Sequence, residues 1–261
     1  MTTPLVRDPA HLEWPRTDDI PYPRMQLVWI GRRLGRVVFR RWDAKVSGAD
    51  LVPKHGPVLL ASNHSGIMDG PLLFTFAPRV VHAMMKQEMY AGRREWAMLA
   101  LGTIPVQREA FDPRAVKLCL RVLRDDGVVA IYPEGGRGAG DMQHNRFGLA
   151  YLATVTGAPI VPVASLGTRH PGQAIGALVP RGSRLDLVFG EPFTVPKRPW
   201  PRRPSEMAVL AESLRVRLAE HVASARTRTN QVTPGPAPDE LRDEAGRDGP
   251  EVGPQATEGA A

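Results

Sequence analysis

The chain has 261 residues, a length that suits one large domain or two small ones around a buried core. From Asn230 onward there are two Arg and seven acidic residues, so residues 1–229 hold 32 basic and 20 acidic side chains, a net charge of +12. A body this basic favours an anionic membrane surface or a phosphorylated substrate. We expect no nucleic-acid partner, because no helix-turn-helix, zinc-finger or RNP pattern occurs and aromatic residues are only 6%.

The cysteine content and the hydropathy pattern limit the cellular setting. A single cysteine, Cys119, excludes an intramolecular disulfide, as expected of a cytosolic protein. No Cys and His residues have the spacing of a zinc site, so no metal is predicted. No run of about 18 apolar residues predicts a spanning helix, and the N-terminus lacks a signal-peptide layout. We therefore expect a peripheral protein at the cytoplasmic face of the plasma membrane.

The N-terminal part predicts an irregular arm and then a helix. Five prolines among charged residues make residues 1–23 irregular, and a helix is predicted over residues 24–41, within a membrane-facing unit at 24–48. Its apolar face holds Leu27, Ile30, Leu34, Val37 and Val38, and its basic face holds Arg32, Arg33, Arg36 and Arg40. Such a helix suits the interface of an anionic bilayer. Alternatively, the apolar face packs on the domain core; the pattern leaves both open.

Strands and helices alternate through residues 49–228, the predicted main domain. Short apolar runs predict strands at 57–62, 80–85, 128–132 and 159–164. Residues 102–108 are predicted to be a turn that leads into a brief strand, and a further strand is predicted at 184–189. Helices are predicted from Pro71, at 95–101, from Asp112 and Pro113, at 146–156 and at 205–225. This alternation predicts an α/β fold with a mixed, largely parallel sheet flanked by helices.

Three finer expectations concern the second half of the chain. Pro159 and Pro162 indicate that their strand lies at an edge or reaches its end there. The alternating polar and apolar residues at 184–189 predict a half-exposed strand. From 229 to 261, Pro, Gly and acidic residues replace the apolar periodicity and predict a disordered acidic tail.

The segment that follows the first buried strand carries a candidate catalytic pair. His64 stands at the end of that strand, and Asp69 stands where the next helix begins. On a continuous helix the two would lie about 140° apart, so they meet only if the intervening chain turns, which Gly66 permits. A carboxylate that accepts the Nδ1 proton leaves Nε2 free as a general base. Taken alone, the pair also fits a surface His and a helix-capping Asp.

Three further segments accompany this pair in order. They are Gly102 to Arg108, then Pro133-Glu134-Gly135-Gly136-Arg137, then Val161-Pro162-Val163. The order resembles the PlsC-type glycerolipid acyltransferases, which carry N-H-x-x-x-x-D, G-x-x-x-x-x-R, E-G-T-R and V-P-V-type motifs. The resemblance spans residues 50–195. Gly136 departs from the family's Thr in the third motif, which bears on the acceptor more than on the chemistry.

This resemblance implies acyl transfer from acyl-CoA or acyl carrier protein, as co-substrate, to the free hydroxyl of lysophosphatidic acid, giving phosphatidic acid without a bound cofactor. His64 would act as general base and Asp69 would orient it. The implied substrate-binding residues are Asn63, Arg108, Glu134, Gly135 and Arg137. Among them, Arg108 and Arg137 would bind the acceptor phosphate, and backbone N–H groups around Gly135 would stabilise the oxyanion.

Three alternatives remain open at this point. The same chemistry could serve another lipid or glycolipid acceptor. A catalytically silent lipid-binding module could keep the fold, although it would not need both His64 and Asp69. A metal hydrolase with those two residues as ligands lacks a further His or carboxylate at a recognisable spacing.

Overall fold

The computed structural model describes residues 15–107 and 112–238, which form one α/β unit. Its sheet consists of β1 (Asp43–Ser47), β2 (Val58–Ser62), β3 (Val81–Lys86), β4 (Ile104–Val106), β5 (Val128–Ile131), β6 (Ile160–Leu166) and β7 (Arg184–Phe189). Its helices are α1 (Val28–Phe39), α2 (Asp69–Phe76), α3 (Arg93–Ala100), α4 (Pro113–Arg124), α5 (Gly148–Thr156) and α6 (Pro204–Thr229).

The sheet is mixed and largely parallel, which confirms the predicted fold class. Its strand order is β1-β7-β6-β2-β5-β3-β4, and every neighbouring pair is parallel except β6 and β7. Leu59 and Ala61 of β2 face a core shared with α4, α5 and α6. Val58 and Leu60 face the opposite core, which α2 and Phe39 of α1 complete. Both faces of the sheet are therefore covered, as is typical of parallel sheets.

Local signals place several helix ends where the sequence predicts them. The Asp112 side chain accepts hydrogen bonds from the N–H groups of Arg114 and Ala115, both at 3.0 Å, and Pro113 is the first residue of α4. Gly157 ends α5 with a φ of +66°, a left-handed conformation that costs glycine little. The carboxylate cap therefore fixes the start of α4, and the glycine ends α5 shortly before β6.

The prediction for β7 is wrong, and the prediction for β6 holds only for Pro159, which directly precedes that strand. β6 is a central strand, because β2 and β7 pair with it on its two sides. The proline is tolerated because Pro162 lies opposite Gly190, one residue past the end of β7, where its oxygen accepts the Gly190 N–H at 2.8 Å. β7 is buried from Leu185 to Phe189 rather than half-exposed, because it lies between two strands and under both cores.

The predicted unit at 24–48 is also wrong in its extent. The helix ends at Phe39, and residues 43–47 form β1, which pairs with β7 at the edge of the sheet. Its short length and its polar residues left no clear strand signal in the sequence. The described part of the predicted arm, residues 15–23, contains no helix or strand.

Helix α1 turns its apolar side chains away from the domain. Trp29, Ile30, Leu34, Val37 and Val38 are exposed, whereas Val28, Arg32 and Phe39 are buried. Gly31 and Gly35 bring the helix against its neighbours: a Cβ at Gly35 would lie 2.3 Å from the Thr75 hydroxyl of α2. The predicted basic face is therefore incomplete, since Arg32 points inward and donates to the Ala77 carbonyl of the domain. Arg33, Arg36 and Arg40 remain exposed.

The chain continues along the body after α6. Gln231 donates to the Arg184 carbonyl at 3.2 Å and to Asp186 at 3.1 Å, and Ala237 is buried. The first part of the predicted acidic tail thus lies against the domain. The remainder of that tail, residues 239–261, lies outside the described residues.

His82 of β3 bonds Tyr22 of the N-terminal arm, and its burial is expected to make the stability of the protein depend on pH. Its Nδ1 lies 2.7 Å from the Gly102 oxygen and its Nε2 lies 3.0 Å from the Tyr22 hydroxyl, so the neutral ring satisfies both. Burial lowers the pKa of His82 from 6.5, against the smaller raising effect of the Gly102 hydrogen bond. Below that ordinary pKa the unfolded chain gains a proton that the folded chain resists, so acid lowers the free energy of unfolding.

We therefore expect the thermal unfolding midpoint to fall between about pH 7 and about pH 5. His82→Gln cannot titrate, and it should show a weaker pH dependence than the wild type. Scanning calorimetry across this range measures both. The same pH dependence in the two proteins would show that His82 titrates alike in the folded and unfolded states.

Candidate active site

The candidate site lies at the carboxyl ends of three neighbouring strands. His64 follows β2, Tyr132 and Glu134 follow β5, and Thr168 follows β6. In open α/β sheets the carboxyl ends of parallel strands are the usual position of ligand sites. The loops after these strands converge, so residues that are far apart in sequence become neighbours.

His64 and Asp69 are in direct contact. The His64 Nδ1 lies 2.8 Å from Asp69 Oδ2, and the Asp69 carboxylate is fully buried while the imidazole remains 17% exposed. This geometry fits an Nδ1–H that donates to the carboxylate. Within the described part of the chain, Nε2 has no hydrogen-bond partner. The imidazole can therefore accept a proton at Nε2.

The turn between the two residues also serves the carboxylate. Asp69 is the first residue of α2, and its Oδ2 accepts the backbone N–H groups of Ser65 at 2.7 Å and Gly66 at 2.9 Å. Its Oδ1 accepts the Thr168 hydroxyl. A Cβ at Gly66 would lie 2.5 Å from the Thr168 carbonyl oxygen, so glycine is required for this close approach.

Tyr132 covers one face of the imidazole. Its ring stacks on the His64 ring with centroids 4.1 Å apart and an angle of 24° between the planes. Burial, and then the nearby Asp69 charge, raise the pKa of the Tyr132 hydroxyl, while Arg137 lowers it. The phenol therefore stays protonated. The orientation of the His64 imidazole is held in part by the stacked ring of Tyr132. Sequence reasoning missed this residue, although its position directly before Pro133-Glu134 was a usable signal.

The loop after β5 is bonded to the loop after β2. Glu134 Oε1 accepts the His64 backbone N–H at 2.8 Å, and the His64 oxygen accepts the Gly138 N–H at 2.9 Å. Glu134 thus fixes the backbone of the candidate base, a more specific role than the substrate contact predicted for it.

The other predicted site residues have different outcomes. Arg137 is half-buried beside the site and makes no hydrogen bond or ion pair within the described residues. Arg108 lies outside the described residues. Asn63 is not placed to bind substrate: its buried amide bonds the backbone of Ser165 and the Gly140 oxygen. Gly135 has a φ of +73° and donates its own N–H to the Tyr132 oxygen at 2.9 Å, so that group does not serve an oxyanion.

A metal centre is not supported by this geometry. Among the described residues, no group of three His, Cys, Asp or Glu side chains could hold a metal ion. Asp69 already accepts four hydrogen bonds, which leaves its carboxylate poorly suited to ligate one.

Comparison with known proteins gives the family. A family model described as acyltransferase matches residues 43–166. These residues include His64 and Asp69, which we call the dyad, and the loop after β5. The 1-acyl-sn-glycerol-3-phosphate acyltransferase of Bacillus subtilis (strain 168) is 27% identical over 184 residues, 69% of this chain and 88% of that protein. The chain therefore carries an acyltransferase domain of the PlsC type. It is thus a glycerolipid O-acyltransferase.

The chain is also similar to a plant protein and, in its fold, to a solved structure. The chloroplastic 1-acyl-sn-glycerol-3-phosphate acyltransferase LPAT1 of Arabidopsis thaliana is 25% identical over 189 residues, which cover 70% of this chain but 50% of the plant protein. The crystal structure of PlsC from Thermotoga maritima has a TM-score of 0.58 and 23% identity, covering 76% of this chain and 80% of that one. The latter likeness supports the fold.

Proposed function

We propose that this PlsC-type enzyme transfers a fatty acyl group from acyl-CoA or acyl carrier protein to the free hydroxyl of lysophosphatidic acid. The main support for this proposal is the contact between His64 Nδ1 and Asp69 Oδ2 at 2.8 Å, which leaves His64 Nε2 without a hydrogen bond to any described residue. The relatives' names support the choice of acceptor, since the Bacillus and Arabidopsis proteins are named for 1-acylglycerol-3-phosphate.

The proposed reaction uses the acceptor oxygen as the nucleophile. His64 Nε2 takes the hydroxyl proton as the oxygen attacks the thioester carbonyl, and Asp69 stabilises the resulting imidazolium. The tetrahedral intermediate then collapses: the C–S bond breaks, and the imidazolium returns its proton to the leaving thiolate. The products are one ester and one free thiol, so no serine nucleophile and no acyl-enzyme are needed.

Arg137 is the described residue best suited to recognise the acceptor phosphate. The positive charge of Arg137 lies close enough to lower the pKa of the Tyr132 hydroxyl beside the dyad. Its Nε is buried and has no hydrogen-bond partner among the described residues. A buried donor without a partner is costly, and a phosphate oxygen would satisfy it. A guanidinium also matches phosphate geometry in a way that lysine does not.

A comparison of two acceptors tests this role. Lysophosphatidic acid should be acylated faster than monoacylglycerol, and Arg137→Met should raise KM for lysophosphatidic acid by about tenfold or more, since charge-assisted hydrogen bonds contribute about 1.5–3 kcal/mol. Activity with monoacylglycerol should change little. Arg181→Met, at an exposed arginine, is the matched control. Equal rates with both acceptors in the wild type would remove the phosphate role.

We also propose that α1 places the enzyme on the cytoplasmic face of an anionic plasma membrane. Its exposed Trp29, Ile30, Leu34 and Val37 form an apolar surface flanked by Arg33 and Arg36. A folded domain gains nothing from exposing such a surface to water, whereas a bilayer interface buries it. Within the described residues, no helix has the length and hydropathy to cross a bilayer.

Vesicle sedimentation tests this membrane proposal. The wild type should pellet with anionic vesicles, and both Leu34→Asn with Val37→Asn and neutralisation of Arg33, Arg36 and Arg40 should reduce the bound fraction severalfold. Val209→Asn with Val216→Asn removes two exposed valines of α6, on the other side of the sheet, and should bind like the wild type. Equal loss in the α1 and α6 variants would contradict a specific role for α1.

A further inference from the structure

Arg169 is a buried arginine at the candidate site whose role the proposed reaction does not include. It lies three residues past the end of β6 and is only 1% exposed. Its Nε donates to the Ser65 oxygen at 2.7 Å, and its Nη2 donates to the Gly138 oxygen at 2.7 Å and the Gly235 oxygen at 2.6 Å. Nη1 donates to the Gln173 oxygen at 3.0 Å.

These contacts join three segments that are distant in sequence. Ser65 lies in the turn between His64 and Asp69, Gly138 lies in the loop whose Glu134 holds the His64 backbone, and Gly235 lies in the segment after α6. The planar guanidinium has five N–H donors in a fixed arrangement, so one side chain can fix several carbonyls at once. A lysine has a single donor atom and cannot reproduce this pattern.

We propose that Arg169 is a positioning residue for the dyad, and that through it the segment at residues 230–238 supports the catalytic loop. Both backbone polar groups of Ser65 are held: Asp69 accepts its N–H, and Arg169 donates to its oxygen. Loss of the Arg169 contact frees the turn that sets the distance between His64 and Asp69. Misplacement by about 1 Å at a reacting group can cost about 10²-fold in rate.

The chain offers a matched control at the opposite end of the sheet. Arg79 Nη1 donates to the oxygens of Pro53 at 2.9 Å and Gly56 at 2.8 Å, before β2 begins. Gly56 and Gly235 have φ values of +77° and +71°, and neither has an atom within 4 Å of an added Cβ. Arg79 is half-buried and also donates to the Asp126 oxygen, so both arginines join carbonyls of separate segments, but only Arg169 contacts the turn between His64 and Asp69.

The test compares Arg169→Lys and Gly235→Ala with Arg79→Lys and Gly56→Ala. We expect the first pair to lower kcat by about tenfold or more with KM changed less than about threefold, and the second pair to keep kcat within about threefold at a similar loss of thermal stability. The Gly235 variant keeps the buried arginine, so it tests the coupling even if Arg169→Lys does not fold. The proposal rests on the proposed acyl transfer, which the wild type must show first.

A double-mutant cycle separates positioning from general stability. If Arg169 acts through the dyad, Arg169→Lys should lower kcat much less in an Asp69→Asn background than in the wild type. Additive effects, or equal losses of kcat in the Arg169 and Arg79 pairs, would overturn the proposal while leaving the acyltransferase activity established.

Discussion

Replacing His64 with Ala is expected to lower kcat for acyl transfer by about 10³-fold or more, within the range of about 10²–10⁴ for general acid–base catalysis and with loss of the stacked ring in addition. No described residue makes a hydrogen bond to Nε2, and we expect no second base to replace it. The fold should persist, because the His64 side chain is partly exposed and its backbone contacts to Glu134 and Gly138 remain. Turnover of a long-chain acyl-CoA with lysophosphatidic acid measures the effect.

His55 provides the matched control for this variant. It is an exposed histidine before β2, at the opposite end of the strand that leads to His64. His55→Ala should keep the wild-type rate. Normal turnover by His64→Ala would refute the mechanism.

Asp69→Asn is expected to lower kcat by about 10²–10⁴-fold, because the same change in a serine-protease triad leaves the geometry intact and yields the wrong tautomer. The Asn amide group is a donor as well as an acceptor, whereas Asp69 accepts from four donors at once. With the NH₂ at the Oδ1 position, it donates to the Thr168 hydroxyl and the imidazolium loses the carboxylate charge that stabilises it; with the NH₂ at the Oδ2 position, it faces Nδ1 of His64. In the latter case Nε2 carries the proton and the ring is no longer a base.

Asp186→Asn is the control for the loss of a buried carboxylate. Asp186 is 2% exposed, pairs with Arg184 and lies in β7, away from the dyad. Its replacement should reduce stability and lower kcat far less than Asp69→Asn does, although Asp186 also accepts a hydrogen bond from Gln231 in the segment that Arg169 contacts. If the two Asn variants lose stability alike and both keep kcat, then Asp69 is a structural residue and not the partner of a base.

The succession of strands and helices along the chain could be predicted from local signals, and so could the contact between His64 and Asp69. Buried parallel strands are short apolar runs bounded by Gly and Pro, and β2, β5 and β6 fit this description. The turn at Gly66 that lets His64 meet Asp69 follows from the strand end, the helix start and the five-residue spacing. β1 was not predicted, because an exposed edge strand with polar residues lacks this apolar pattern.

The partners of the dyad could not be predicted, because they depend on which loops converge. Thr168 and Arg169 lie about 100 residues after Asp69, and only the neighbouring positions of β2 and β6 bring them together. Asn63 reads as a site residue in the motif, yet its amide bonds the backbone after β6. Polar residues directly after buried strands were the available signal for all three.

The orientation of α1 shows the same limit. The sequence pattern separates an apolar face from a basic one but does not say which of them meets the domain. Gly31 and Gly35 decide this, since the absence of a Cβ lets that side of the helix approach α2 and Leu101 closely. The apolar side chains are consequently exposed.

Product analysis by mass spectrometry of a reaction with one long-chain acyl-CoA and lysophosphatidic acid tests the central claim most directly. We expect phosphatidic acid and free CoA in equal amounts, with no free fatty acid, because the lipid hydroxyl and not water attacks the thioester. Release of free fatty acid without phosphatidic acid would contradict it, since the dyad would then activate water.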